Sequence, residues 1–325
     1  MSSHSLNGRN VHVYPLFIFW SRMAFLAFLL LTLLMTGCSL QRVAVNQTAG
    51  VLATGKVALE QESDLHFAGE ALPATLKTME TFLAGSPENA DLLELLAQGF
   101  FTYAFAILET EFEKAQLDGS EEARLETLNR RAVLHFIRGR DYGLRLLANP
   151  ELRDSALSLD VKEVRRRLGE LDRESVPALF WSANCWAQAA NLAQDDPDTV
   201  AALPVIEAFM ERVIELEDDY YNAGAHMFFG VYFSSRPVMF GGNPERSKKH
   251  FDIALERHGE SNLLISYMMA KYYAVQAQDR VLFDGLIKRV LETDVTKYPS
   301  LRLSNEIARE RARFWLEHVD ELFFE

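Results

Sequence analysis

The 325-residue sequence predicts an all-α protein built from many short helices. In the stretch 262–275 the apolar residues recur at i, i+1, i+4, i+5, i+8 and i+9, which places them on one helix face. Three stretches, 86–88, 196–198 and 243–245, each combine a capping residue, a proline and an acid, the pattern of a helix start. No stretch alternates apolar and polar residues in the way that predicts a strand.

The N-terminus has the pattern of an export signal. Two arginines accompany an apolar run at 24–37, which has the length of the apolar region of a signal peptide. The run ends in LMTGC, which resembles the lipobox of bacterial lipoproteins. We therefore expect residues 1–37 to be a lipoprotein signal peptide and Cys38 to carry covalent diacylglycerol and acyl chains such as palmitate. By the same resemblance Ser39 indicates the outer membrane, and the alternative is an uncleaved N-terminal anchor helix.

The charge and the cysteines exclude several classes of function. The net charge is −13, and loss of 1–37 removes two arginines and no acid, so the mature chain is more acidic still. An acidic chain is a poor candidate for binding nucleic acid, because that affinity depends on lysine and arginine at phosphates. Membrane attachment would depend on the lipid of Cys38 alone. Once Cys38 is lipidated, Cys185 has no partner for an intrachain disulfide, and its apolar surroundings predict a buried thiol.

The mature chain reads as one helical domain after a short leading segment. Residues 38–62 form either a tether or a first helix, and residues 63–325 form the domain. Near the end of the chain, 300–324 carries Leu303 and Ile307 at helical spacing among many charges. This pattern predicts a C-terminal capping helix whose outer face meets water.

Two helix pairs have the residue spacing of tetratricopeptide (TPR) hairpins, in which small residues let the helices approach and aromatic residues fill the space between them. The first pair has Phe229, Gly230 and Phe233 in one helix and Ser247, Phe251 and Ala254 in the next. The second pair has Met269, Ala270 and Tyr273, followed by Phe283, Ile287 and Val290. The repeats are degenerate, so we expect a TPR-like helical hairpin array, an α-α superhelix, rather than a regular solenoid.

Four stretches together are similar to one family. They are 71–106, 131–147, 176–221 and 224–255, in the family's order. With the lipobox, they resemble the T-component (TatT) family of TRAP transporters, tripartite systems that import organic acids and related small molecules. The resemblance implies an all-helical, non-catalytic periplasmic lipoprotein that forms a homotrimer with hydrophobic pores. It also implies association with the periplasmic substrate-binding subunit and a ligand that is hydrophobic or a small organic acid.

The segment 234–244, SSRPVMFGGNP, is too long and too apolar for a plain turn between two helices. Val238, Met239 and Phe240 would each gain roughly 1.5–3 kcal/mol on burial, so we expect the segment to fold back on the array or to line a pocket. Gly241 and Gly242 permit backbone angles that other residues avoid. The functional interpretation is a pore mouth or subunit contact in which Arg236 binds a carboxylate. The alternative is a packed connector with a local ion pair of Arg236.

The stretch ALFWSANCWAQAANL supplies two further candidates for lining a ligand cavity or pore. Trp181 presents a large aromatic surface, although aromatic helix faces more often form the core. Asn184 is a polar amide in an apolar helix and needs a hydrogen-bond partner. The candidate ligand or pore-lining residues are Trp181, Asn184, Arg236, Phe240, Gly241 and Gly242.

Motifs of catalysis are missing from the sequence, which has no G-x-S-x-G, P-loop, H-E-x-x-H or C-x-x-C pattern. His66 and Glu70 lie at i and i+4 but lack a third ligand with suitable spacing, so we predict no metal site. We expect a non-catalytic TRAP accessory that needs no cofactor beyond its lipid, docks the substrate-binding subunit and holds or passes a ligand. Two alternatives stay open: a stand-alone carrier of lipid or another apolar molecule, and a TPR scaffold for envelope assembly.

Overall fold

The computed structural model describes residues 22–23, 40–193 and 197–324. Cys38 and most of the expected signal peptide lie outside the described residues, as does Asp196 of the second predicted helix start. The chain divides after Thr48, and residues 49–325 form one compact unit, which contains the candidate site.

The described residues form helices and no strand, which confirms the all-α prediction. The helices are α1 (40–55), α2 (Val57–Glu60), α3 (Leu65–Gly85), α4 (Ala90–Tyr103), α5 (Thr110–Leu117), α6 (Glu122–Leu146), α7 (Pro150–Leu157), α8 (Val161–Leu168), α9 (Val176–Leu192), α10 (Pro197–Ala201), α11 (Leu203–Glu217), α12 (Tyr220–Ser234), α13 (Pro244–His258), α14 (Leu263–Met268), α15 (Arg280–Glu292) and α16 (Arg302–Glu317). Two π-helical segments, Ala104–Glu109 and Met269–Ala274, continue α4 and α14. Short 3₁₀ turns occur at Arg173–Ser175, Val238–Phe240, Val295–Lys297, Pro299–Leu301 and Val319–Glu321.

The predicted helix starts are correct in one case and displaced in another. Asn243 caps α13, because its side chain accepts a hydrogen bond from the Arg246 amide at 3.0 Å. The sequence predicts that Ser86 caps the next helix, α4. In the structure Ser86 instead ends α3. A turn follows, and Asn89 takes the capping role by accepting from the Leu92 amide at 2.9 Å. The serine and proline therefore mark the end of one helix and the connection to the next.

Helix α9 lies at the centre of the packed region. It contacts α4, α6 and α11, and it is apolar on nearly all sides, as expected of a helix without a solvent face. Trp181 of α9, Phe136 of α6 and Phe209 of α11 are among the largest side chains that are fully buried. Cys185 is also buried, and this burial raises the pKa of its thiol.

The longest apolar helical stretch also belongs to this core. Among the described residues, Ala90–Leu117 is long and apolar enough to cross a membrane by length and composition alone. Most of its apolar part is buried against other helices of the protein, as is typical of a core helix.

The hairpin of α12 and α13 shows the close approach that the TPR-like spacing predicts. A Cβ at Gly230 would lie 2.7 Å from the Phe251 ring, so only glycine fits without a shift of that ring. The Ser247 hydroxyl donates to the Gly230 carbonyl at 2.7 Å across the same contact. In the second predicted pair, Met269–Ala274 is π-helical rather than regular α-helix. The extension of these pairs into a TPR-like superhelix stays a prediction.

The segment between α12 and α13 differs from the sequence prediction. Val238 and Met239 are 69% and 81% exposed, so the expectation that they are buried is wrong. The reason is a tight turn that closes on its own backbone, with Gly241 at φ +90° and the Gly242 amide donating to the Pro237 carbonyl at 3.1 Å. A Cβ at Gly242 would lie 1.9 Å from the Arg236 carbonyl oxygen, which explains the second glycine.

Candidate functional site

An apolar cavity of about 450 Å³ lies among helices α3, α4, α9, α12, α14 and α16. Its size is in the range of ligand pockets, which are concave, mostly apolar and supplied with a few polar groups. The wall residues come from distant parts of the chain and include Leu76, Phe105, Phe228, Val231, Met268 and Ile307. The cavity therefore has the size and the apolar lining that are typical of a pocket for an apolar molecule.

Two of the predicted site residues line this cavity. Trp181 and Asn184 both project from α9 into its wall. The Asn184 amide donates to the Phe180 carbonyl at 2.9 Å, so the hydrogen-bond partner that the sequence demands is the backbone of its own helix. Contact of these two residues with a ligand stays a prediction.

Three of the other predicted site residues are not among the residues that line the cavity. The Arg236 guanidinium stacks 3.7 Å from the centre of the Tyr232 ring and donates to the Tyr232 carbonyl at 2.8 Å. Arg236, Gly241 and Gly242 are absent from the described residues that line the cavity, and the Phe240 side chain lies outside the described part of the structure. A role of these four residues in ligand or subunit contact stays a prediction.

A strained backbone segment forms part of the wall. Tyr221, Asn222 and Ala223 have φ of 52°, 59° and 57°, the left-handed region that costs non-glycine residues of order 1–3 kcal/mol each. The Tyr221 ring contacts the edge of Trp181, with 4.9 Å between the ring centres. Its hydroxyl accepts from the Gln98 amide at 3.2 Å. These contacts hold the strained turn in place at the cavity.

A second, polar cavity of about 370 Å³ adjoins the first. Glu109, Glu113 and Lys271 line it, together with several amide side chains. The residues that line both cavities are Gln188, Asn191, Ser235 and Tyr272. The two π-helical segments supply Glu109 on one side and Lys271 and Tyr272 on the other. Such segments are frequent at functional sites.

Arg311 of α16 holds the two acids of the polar cavity. Its side chain is 2% exposed, and its Nη2 lies 2.8 Å from Glu109 Oε1 and 2.9 Å from Glu113 Oε2. The Gln188 amide donates to the second oxygen of Glu109 at 3.2 Å. Burial raises the pKa of Glu109, and the charge of Arg311 opposes this shift. Both carboxylates thus have donors within the protein.

Unlike Glu109, Glu113 and Arg311, the side chain of Lys271 has no hydrogen-bond partner among the described residues. Its ammonium lies over the Trp315 ring, 2.9 Å from the ring centre, and forms no hydrogen bond or ion pair with any residue that the structure describes. Burial lowers the pKa of Lys271 to about 7, against the attraction of Glu113. The polar cavity therefore contains one cation that forms no ion pair with a carboxylate of the described chain.

Sequence reasoning missed the polar cavity and the strained turn. Lys271 is the only charged residue in the apolar stretch 263–278, and that isolation is the signal that could have identified it. Arg311 gave no such signal, since it is one of many charges in α16. In the described part of the chain, no three His, Cys, Asp or Glu side chains are grouped as a metal site requires.

Comparison with known proteins identifies the family. The family model of the TRAP transporter T-component matches residues 61–323. The chain is also 26% identical over 315 residues to an uncharacterized protein of Treponema pallidum (strain Nichols), an alignment that covers 90% of this chain and 95% of that protein. T-components are transport accessories of the periplasm or membrane rather than enzymes. The match covers every residue that lines the polar cavity and all of the apolar cavity's lining from Leu72 onward, and the chain belongs to the TRAP transporter T-component family.

Proposed function

We propose that the apolar cavity holds or passes a small hydrophobic or organic-acid ligand in support of a TRAP transporter. The observation that carries this proposal is the cavity itself, about 450 Å³ of space bordered by aromatic and aliphatic side chains in an otherwise packed helical body. A packed core has few voids larger than a water molecule, so a space of this size needs an explanation. Ligand binding by a transport accessory is the explanation we favour.

The rest of the proposal concerns assembly and location. In it, Cys38 carries the lipid, the protein lies in the periplasm at the inner leaflet of the outer membrane, and three copies form a pore. The chain docks the periplasmic substrate-binding subunit and acts without catalysis. The lipobox and family membership support this proposal.

Filling the cavity tests the ligand-binding part. Val231 of α12 lines the cavity, whereas Val281 of α15 is exposed. We expect Val231→Trp to weaken binding of the neutral reporter N-phenylnaphthylamine, and its displacement by dodecanol, by roughly tenfold, equivalent to ~1.4 kcal/mol. Val281→Trp is the matched control and should bind as the wild type does. Unchanged binding by Val231→Trp would contradict the proposal.

The partner is tested by cross-linking the lipidated protein in intact cells and identifying the captured proteins by mass spectrometry. Enrichment of a periplasmic solute-binding protein supports the transporter-accessory role. Self cross-links alone, under conditions that trap a known envelope pair, would favour the stand-alone carrier, which the cavity also accommodates.

A further inference from the structure

The two adjoining cavities have complementary chemistry. The larger one is bordered mainly by apolar side chains, and the smaller one by Glu109, Glu113, Lys271 and amides. They meet at three amide or hydroxyl side chains and Tyr272. A molecule that spans this junction needs an apolar part on one side and a polar group on the other.

The charges of the polar cavity select the sign of that polar group. Glu109 and Glu113 share the Arg311 guanidinium, and the Trp315 indole also faces Glu113 at 3.4 Å. Lys271 has no acceptor among the described residues. A partly buried ammonium without a paired charge is unfavourable, and an anion placed beside it removes that penalty. The neighbouring residue, Tyr272, lines both cavities, and a tyrosine hydroxyl can donate a hydrogen bond to an anion.

We propose that the polar cavity is a head-group site in which Lys271 and Tyr272 bind the carboxylate of a long-chain monocarboxylate, whose hydrocarbon tail occupies the apolar cavity. This inference rests on the proposed function, because it names the class of ligand for the same site. The nearby carboxylates of Glu109 and Glu113 repel an anionic head group more strongly as its negative charge increases, whereas Lys271 can pair with only one negative charge. The site is therefore selective for a singly charged head group over a phosphate monoester, which carries −1.5 to −2 at neutral pH.

Two probes that share the same hydrocarbon tail and differ in their head group test the inference. Dodecanoate and dodecanol are titrated into the mature full-length chain, with calorimetry or reporter displacement as the readout. We expect Lys271→Met to lower the affinity for dodecanoate by at least tenfold, because the ion pair with the carboxylate is lost. The affinity for dodecanol should stay within about twofold of the wild-type value. Lys162→Met is the matched control, since Lys162 is exposed and lies outside both cavities. Unchanged dodecanol binding also shows that the variant is folded.

The outcomes separate the two proposals. If the wild type binds neither probe, the proposed ligand-binding function fails. Suppose that the wild type binds both probes, and that Lys271→Met leaves both affinities unchanged or lowers both equally. The head-group site is then wrong, while the ligand-binding function stands. Dodecyl phosphate should bind more weakly than dodecanoate, and tighter binding of dodecyl phosphate would overturn the selectivity for a single charge.

The dependence on pH provides an independent readout. The charged groups that act on Lys271 are Glu109, Glu113 and Arg311 of α16, and Tyr272 lines the same cavity. Helices α12, α13 and α15 place no ionisable side chain of the described chain on the wall of the polar cavity. Lys271 loses its proton as the pH rises above about 7, which should lower the affinity for dodecanoate and leave the affinity for dodecanol unchanged. Lys271→Arg should bind dodecanoate equally at pH 7 and pH 9, since arginine stays protonated. A pH response that persists in Lys271→Arg would assign the effect to another group and overturn the inference.

Discussion

Two faces of helix α12 carry similar residues and have different surroundings. On the face toward α13, the Phe251 ring lies so close to Gly230 that no Cβ fits between the helices. On the opposite face, Phe228 and Val231 border the apolar cavity. Phe228 and Phe229 are neighbours in sequence and are 7% and 1% exposed, so burial alone does not tell them apart. What differs is whether a buried side chain touches other atoms on all sides or empty space on one side.

Truncation of the two phenylalanines should give the largest difference between the faces. Phe229→Ala removes a ring that stacks on Phe233 and packs against His250, and we expect a loss of about 3–5 kcal/mol in the free energy of unfolding. Phe228→Ala should cost at least ~1 kcal/mol less, because a ring beside a cavity has fewer contacts to lose. Urea denaturation of both variants measures the difference. Equal losses would show that the cavity face is packed as tightly as the α13 face.

A pair of glycine substitutions sharpens the same comparison. Gly230→Ala should destabilise the protein by about 1–3 kcal/mol, because the new methyl group overlaps the buried Phe251 ring. Gly285→Ala in α15 is the matched control, since a Cβ there meets nothing within 4 Å. It should stabilise the protein by about 0.5–1 kcal/mol through the higher helix propensity of alanine. Thermal unfolding midpoints that move in the same direction for both variants would contradict this account of the α12–α13 contact.

The features that the sequence predicts well depend on neighbouring residues. The cap at Asn243 needs only the next three residues, and the Gly230 contact follows from the small-residue spacing of one hairpin. The exposure of Val238 and Met239 depends on how the turn closes at Gly241, and the hydrophobicity of these residues gave the wrong answer. Hydrophobicity indicates that burial is favourable and does not show that the backbone can provide it.

The candidate site depends on residues that are far apart in the chain. Glu109, Lys271 and Arg311 come together only after three separate helical elements have packed. The left-handed backbone at Tyr221–Ala223 has no local signal, because none of its three residues is glycine. Trp181 and Asn184 could be selected as candidates because an aromatic and an amide stand out in one helix, yet residues of the same types also form solid core. Sequence therefore suggests candidates for a cavity wall and leaves the cavity itself to tertiary packing.

The face of α12 toward α13 should also respond to acid, in the smallest of these effects. His226 and His250 lie there with their Nδ1 atoms 2.9 Å apart, so one neutral ring donates and the other accepts. Burial lowers the pKa of both rings, that of His250 to about 4, and Arg257 near His226 and the charges near His250 act in the same direction. Between the unfolded value of about 6.5 and this value, the folded state binds fewer protons than the unfolded state. Stability should therefore fall as the pH decreases from 6.5 to 4.

His250→Gln removes one titrating ring and should flatten this dependence of the unfolding midpoint on pH. His66→Gln, at an exposed position in α3, is the control and should keep the wild-type slope. An unchanged slope in His250→Gln would show that the histidine pair is not the source. No histidine of the described residues lines the apolar cavity, so dodecanol affinity should hold wherever the protein stays folded. Acid should thus loosen the tight face of α12 before it alters the face that borders the cavity.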